Sequence, residues 1–107
     1  MATVDNDTLK KINELINILK DKNIRIQYVY LYGSFARGTA GEWSDIDIAI
    51  VSDDFSKNRI DERIRLMKIT SNIDSRIEPV PFRTEYFDES DPLVWEIKNT
   101  GIQIPLN

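Results

Sequence analysis

The sequence predicts an α/β (α+β) fold, a small mixed β-sheet covered by helices, and three observations lead to it. Apolar residues recur at helical spacing in two long segments, 7–20 and 58–72. Short stretches rich in β-branched and aromatic residues, 24–32, 45–51 and 76–82, alternate with those segments. The connections between them are brief and polar, and neither repeats nor low-complexity tracts interrupt the 107 residues, so one domain over 1–107 is expected.

The elements follow in order. Leu9, Ile12, Ile16 and Leu19 mark a helix over 7–20, capped by one of Asp5, Asp7 and Thr8. Asp21-Lys22-Asn23 is a turn, and Ile24–Tyr32 a strand with Ile24, Ile26, Tyr28, Tyr30 and Tyr32 on one face. Gly33 ends the strand, Ser34–Arg37 is a helical turn closed by Gly38, and Thr39–Ser44 is a loop. Asp45–Val51 is the second strand. Asn58–Asn72 is a helix, with Ile60, Ile64 and Met67 on one face and Leu66, Ile69 and Ile73 beside them. Arg76–Phe82 is a third strand; Pro79 and Pro81 lack donors on the same side, which predicts a place at or near a sheet edge. Asp91-Pro92 opens a short helix that Gly101 closes, and Ile102–Leu106 is a tail able to add a strand.

Composition narrows the chemistry. The chain has no histidine and no cysteine, which excludes imidazole- and thiol-based catalysis, disulfides and zinc sites built on those ligands. Any metal must take oxygen ligands, hence magnesium, manganese or calcium. No apolar run approaches the ~20 residues of a membrane span, and the charged segment Met1–Lys11 lacks a signal-peptide core. A cytoplasmic location is expected, with no membrane partner. The net charge of −4, with basic residues interspersed among acids, argues against a nucleic-acid acceptor.

Two constellations carry chemistry. Gly33-Ser34 stands where a strand enters a helical turn: glycine permits a sharp bend and close approach, and free N–H groups at such a turn attract phosphate. Arg37 is near enough to face the same anion. The competing reading of Ser34 is a helix cap. Asp45 and Asp47, two apart on a strand, project together while Ile46, Ile48 and Ile50 take the other face. Adjacent like charges on a strand repel, and a divalent cation removes the conflict; the plain alternative is a solvated strand entrance.

Together these residues resemble a known pattern. Tyr32-Gly33-Ser34-Phe35-Ala36-Arg37-Gly38, followed by Trp43-Ser44-Asp45-Ile46-Asp47-Ile48-Ala49-Ile50-Val51, resembles the DNA polymerase beta-like nucleotidyltransferase superfamily, in particular its minimal nucleotidyltransferase branch. The resemblance implies that superfamily's fold and Mg²⁺ chemistry with two ions, with Asp45 and Asp47 as catalytic metal ligands. Gly33, Ser34 and Arg37 would hold the triphosphate of ATP. It also implies a third carboxylate on a neighbouring strand. Ile77-Glu78-Pro79-Val80-Pro81-Phe82 resembles the corresponding segment, so Glu78 is the expected ligand and Asp74 the alternative; glutamate in place of the usual aspartate is a departure.

Minimal nucleotidyltransferases of this kind are commonly antitoxins, which implies a HEPN-type helical toxin as partner and transfer of AMP to one of its tyrosine hydroxyls. A module neutralising its partner by contact alone, and a transferase for a small molecule or RNA, are the other readings. Homo- and hetero-oligomers both remain open. Other features have plainer readings. The tyrosine stripe is core or interface, Trp43 stacks on a base or covers the sheet, the aromatic stretch Phe82–Phe87 is core closure or a partner surface, and Lys57–Lys68 is a solvated helix.

Overall fold

A computed structural model describes residues 4–106; the first three residues of the charged opening segment and Asn107 lie outside it. The first helix, α1, spans Asn6–Asp21. Asp5 sets its start by accepting from the Thr8 backbone N–H at 2.8 Å and the Thr8 hydroxyl at 2.9 Å, which answers an orphan donor of the first turn. Ile12, Leu15, Ile16 and Leu19 form its buried stripe.

The first strand is shorter than its residue pattern suggests: β1 is Tyr28–Tyr32. Asn23 turns the chain with φ 63°, in the left-handed region that asparagine tolerates. The Ile24 N–H then bonds the Leu19 carbonyl at 3.0 Å and the Arg25 N–H donates to the Asp54 carboxylate at 2.7 Å, so these groups are engaged before any ladder begins. Ile24 and Ile26 consequently pack with α1, not on the tyrosine face.

Gly33 follows β1 and leads into α2, Ser34–Arg37, which Gly38 closes. The second strand, β2, is Ile46–Val51, one residue inside the expected span. Helix α3, Arg59–Thr70, starts at Asn58, whose side chain accepts from the Asp61 N–H at 3.1 Å. Strand β3 is Ile77–Phe82, and a 3₁₀ turn occupies Thr84–Tyr86. Helix α4, Pro92–Thr100, is capped by Asp91 through the Leu93 N–H at 2.9 Å, and β4 is Ile102–Gln103.

The four strands are ordered β3-β2-β1-β4, with β2 and β3 parallel and β1 antiparallel to both β2 and β4. The period of two along β2 divides the core. Ile46, Ile48 and Ile50 pack with α1 and Leu66 of α3, while Ala49 and Val51 pack with Tyr32, Phe82, Phe87 and the α4 residues Val94 and Ile97. The aromatic stretch after β3 is thus core closure at Phe82 and Phe87, whereas Tyr86 stays exposed.

Strand β3 lies at the edge, as its prolines predict. The bonds that bracket its ladder, Ile46 N–H to the Arg76 carbonyl and Ser52 N–H to the Phe82 carbonyl, both use even-numbered residues of this segment. Odd residues therefore turn their backbone outward, and Pro79 and Pro81 sit where a missing N–H costs no ladder bond.

The structure shows which of the two apolar sides of α3 packs inward. Leu66 is buried, with Ile69 beside it, but Ile60, Ile64 and Met67 are exposed. Two apolar stripes run along this helix at equivalent spacing, and only the Leu66 side rests on the sheet. An ion-pair knot fastens the other end of the layer. Asp74 accepts from Lys11 Nζ of α1 at 2.7 Å, from Arg76 Nη2 at 2.9 Å and from the Arg76 N–H at 2.9 Å. The Arg76 and Lys11 side chains hold its carboxyl well below the usual carboxylate range.

Two outcomes are expected. Leu66→Ala should destabilise by about 2–4 kcal/mol, and Ile60→Ala by no more than about 0.5 kcal/mol, in denaturant unfolding; the reverse order would overturn the face assignment. Because the folded protein depresses the Asp74 pKa, the knot stabilises above the unfolded-state value near ~3.9 and is lost as pH falls through the folded value. Asp74→Asn should therefore melt below the wild type at neutral pH, with the gap closing under strong acid.

Candidate active site

Residues from three strands and two turns meet where β1 ends and β2 begins. Tyr32 is the register partner of Asp47 on one side, and Glu78 is its partner on the other, so these three side chains form one row across the sheet on the α4 face. Gly33 follows Tyr32 with φ 71°. A Cβ at this position would collide with Asp47 Oδ2, so the backbone conformation and the close approach both require glycine. The carboxylate of Asp47 lies directly against the strand-to-helix turn.

Gly33 also occupies the N-cap of α2 and makes no side-chain cap bond, so Ser34 is the first helical residue and its hydroxyl does not cap the turn. The α2 turn is closed by the Arg37 N–H on the Gly33 carbonyl at 3.1 Å and the Thr39 N–H on the Ser34 carbonyl at 3.0 Å. Arg37 is exposed at its end and close enough to Asp47 to favour the ionised carboxylate.

The charge balance of the row is unfavourable to Asp47. Burial pushes its pKa up, the charges of Asp45 and Glu78 push further, and Arg37 opposes them. Asp45, exposed, stands one residue before β2. Tyr32 is pushed up to about 12, first by burial and next by the Asp47 charge, so its phenol remains protonated. Glu96 of α4 contributes negative charge at both Asp47 and Tyr32.

The two candidates for a third carboxylate stand in different places. Glu78 is in register with Asp47, and its Oε2 contacts Arg63 Nη2 of α3 at 3.4 Å. Asp74 is engaged by Lys11 and Arg76 in the knot described above. Among the described residues no three carboxylates stand together as a ready-made metal site. Asp45 and Asp47 nevertheless offer the hard, mutually repelling oxygen ligands that a divalent cation suits. Trp43 is 86% exposed and does not cover the sheet. Sequence reasoning missed Arg63, 15 residues before Glu78, which contacts it, and Glu96, 18 residues after it, whose charge is felt at the row; both read locally as solvated charges.

Comparisons with known proteins identify the family and the fold. The family model described as a nucleotidyltransferase domain matches residues 12–102. The protein adenylyltransferase MntA of Shewanella oneidensis is 36% identical over 72 residues, which cover 67% of this chain and 51% of that protein. The chain therefore spans about half the length of that curated relative. A solved structure of a toxin–antitoxin with AMP-PNP matches with a TM-score of 0.63 at 30% identity, covering 92% of this chain and 72% of that one. A mutant of the toxin–antitoxin MntA-HpeT matches with a TM-score of 0.62 at 29% identity, covering 90% and 72%. With the match running from α1 to the start of β4 across the whole Gly33–Asp47–Glu78 row, the chain belongs to the nucleotidyltransferase domain family.

Proposed function

We propose that this domain is a Mg²⁺-dependent nucleotidyltransferase that moves AMP from ATP to a hydroxyl, a tyrosine of a HEPN-type helical toxin, and so acts as an antitoxin in the cytoplasm. The observation that carries the reading is the contact of the Asp47 carboxylate with the Gly33 turn. It sets a cation-seeking pair, Asp45 and Asp47, beside backbone N–H groups suited to phosphate. The adenylyltransferase name of the Shewanella relative and the AMP-PNP of the matched toxin–antitoxin support ATP as the donor.

In this reading the acceptor oxygen attacks the α-phosphorus of ATP, the bond to the bridging oxygen of pyrophosphate breaks, and the hydroxyl proton passes to a carboxylate or water. The products are an AMP ester and pyrophosphate. Gly33 and Ser34 hold the β- and γ-phosphates through the turn, and Arg37 adds positive charge where pyrophosphate departs. Asp45, Asp47 and Glu78 would hold two magnesium ions, which when bound neutralise charge on the entering and leaving oxygens. The Tyr32 hydroxyl stays protonated beside Asp47 and is no base.

A second reading rests on a specific observation: Glu78 is paired with Arg63, and among the described residues no three carboxylates form a ready-made metal site. A domain in that state neutralises its partner by contact. Mass spectrometry of the domain mixed with its toxin and Mg–ATP separates the two. Added AMP mass with pyrophosphate release supports transfer; neutralisation without added mass, equally by Asp47→Asn, supports contact.

Two variants test the roles. Asp47→Asn should lower transfer by on the order of 10²–10³-fold. It should melt no lower than the wild type at neutral pH, because a carboxylate whose folded pKa is raised loses stability as pH climbs through that value. Full activity in this variant would remove the mechanism. Glu78→Gln should slow the chemical step far more than it weakens ATP binding, while Asp74→Asn should leave transfer intact in the folded protein; inactive Asp74→Asn beside active Glu78→Gln would shift the third ligand to Asp74.

A further inference from the structure

Helix α3 presents Ile60, Ile64 and Met67 to solvent, 73%, 48% and 42% exposed. Their spacing of four and three residues places them on one stripe, turned away from the buried Leu66 side. The segment around the stripe is predominantly basic: Lys57, Arg59, Arg63, Arg65 and Lys68 fall within 57–68 against Asp61 and Glu62, in a chain that is net −4, with Arg65 paired to Glu62 and Arg63 to Glu78. A basic rim around an outward apolar stripe is the anatomy of a docking surface.

The occupant is constrained by the same residues. Two copies meeting stripe to stripe would bring the basic rims together, which like-charge repulsion disfavours. Docking on another part of a second copy requires a matching acidic apolar stripe. Among the described residues, the other exposed large hydrophobics are single aromatics on separate segments, Tyr28, Trp43, Tyr86 and Trp95. The complementary surface belongs to a different protein. Arg63 adds continuity with the site, since it borders the stripe on α3 and reaches Glu78.

We infer that the outward stripe of α3 docks a helix of the partner protein, one with apolar residues at i, i+4 and i+7 flanked by aspartate or glutamate. The inference rests on the reading that this domain acts with a protein partner. It adds the surface used and the chemistry of the segment that binds it, and it places the partner beside the Glu78 end of the Asp47 row.

The test uses the full chain and the purified helical toxin of the proposed function, with affinity read by calorimetry. Ile60→Asp/Ile64→Asp should weaken binding by about 30-fold or more, while melting temperature and Mg–ATP affinity stay near wild-type values because neither side chain belongs to a core cluster. Lys68→Glu should slow association, an effect that fades as salt is raised. Undiminished affinity of the double variant overturns the inference, as does a wild-type dimer by light scattering that the double variant abolishes. Mass spectrometry keeps the two readings apart. AMP added at an unchanged rate by the double variant removes the docking surface and leaves transfer standing; stripe-dependent binding with no AMP added by the wild type does the converse.

Discussion

The register of β2 between its neighbours governs both halves of this molecule. Pairing Asp47 with Tyr32 and with Glu78 sends Ile46, Ile48 and Ile50 to the α1–α3 layer and leaves Asp47 on the α4 face. A shift of one residue would bury the carboxylates among α1 side chains and drive the three isoleucines onto the α4 face, into the places of Asp47, Ala49 and Val51. The hydrophobic layer therefore holds the acidic row in place. The glycine at 33 completes the constraint, since no other residue fits both its φ and the approach of Asp47.

The acidic row illustrates how a fold can maintain an unfavourable charge arrangement. Asp47 is pressed by burial, by Asp45 and Glu78, and by the more distant Glu96, with Arg37 and Arg63 as the nearby cations. Fourteen buried residues among those described in the α1–α3 core supply apolar burial that can support such local cost. The proposed divalent ions have complementary charge, so the same like-charge strain that opposes ionisation in the free protein favours their binding.

Much of this was legible from residues alone, for identifiable reasons. The Asp-x-Asp spacing and the Gly-Ser turn are local patterns, and Pro79 with Pro81 marks an edge because a missing N–H is a property of the residue itself. The helices came within one or two residues because Asp5, Asn58 and Asp91 are capping types. What stayed hidden depends on distant partners. Nothing near Ile24 reveals that Asp54 takes the Arg25 N–H and delays β1. On α3 both apolar stripes satisfy the helical period, and only contact with β3 selects Leu66. Arg63 reads as a surface charge until the sheet brings Glu78 to it, and Glu96 does so until α4 folds over β1.

The edge prolines have a consequence for how this protein can meet others. With no donors at 79 and 81 on the outward side of β3, and only two residues in β4 at the opposite margin, neither border of the sheet offers a foreign strand a continuous row of backbone groups. Recruitment by β-augmentation is closed off, and so is the edge-to-edge stacking that begins amyloid growth. Association then falls to side-chain surfaces such as those of the helices, where each contact can be tuned by single substitutions without disturbing the ladder beneath.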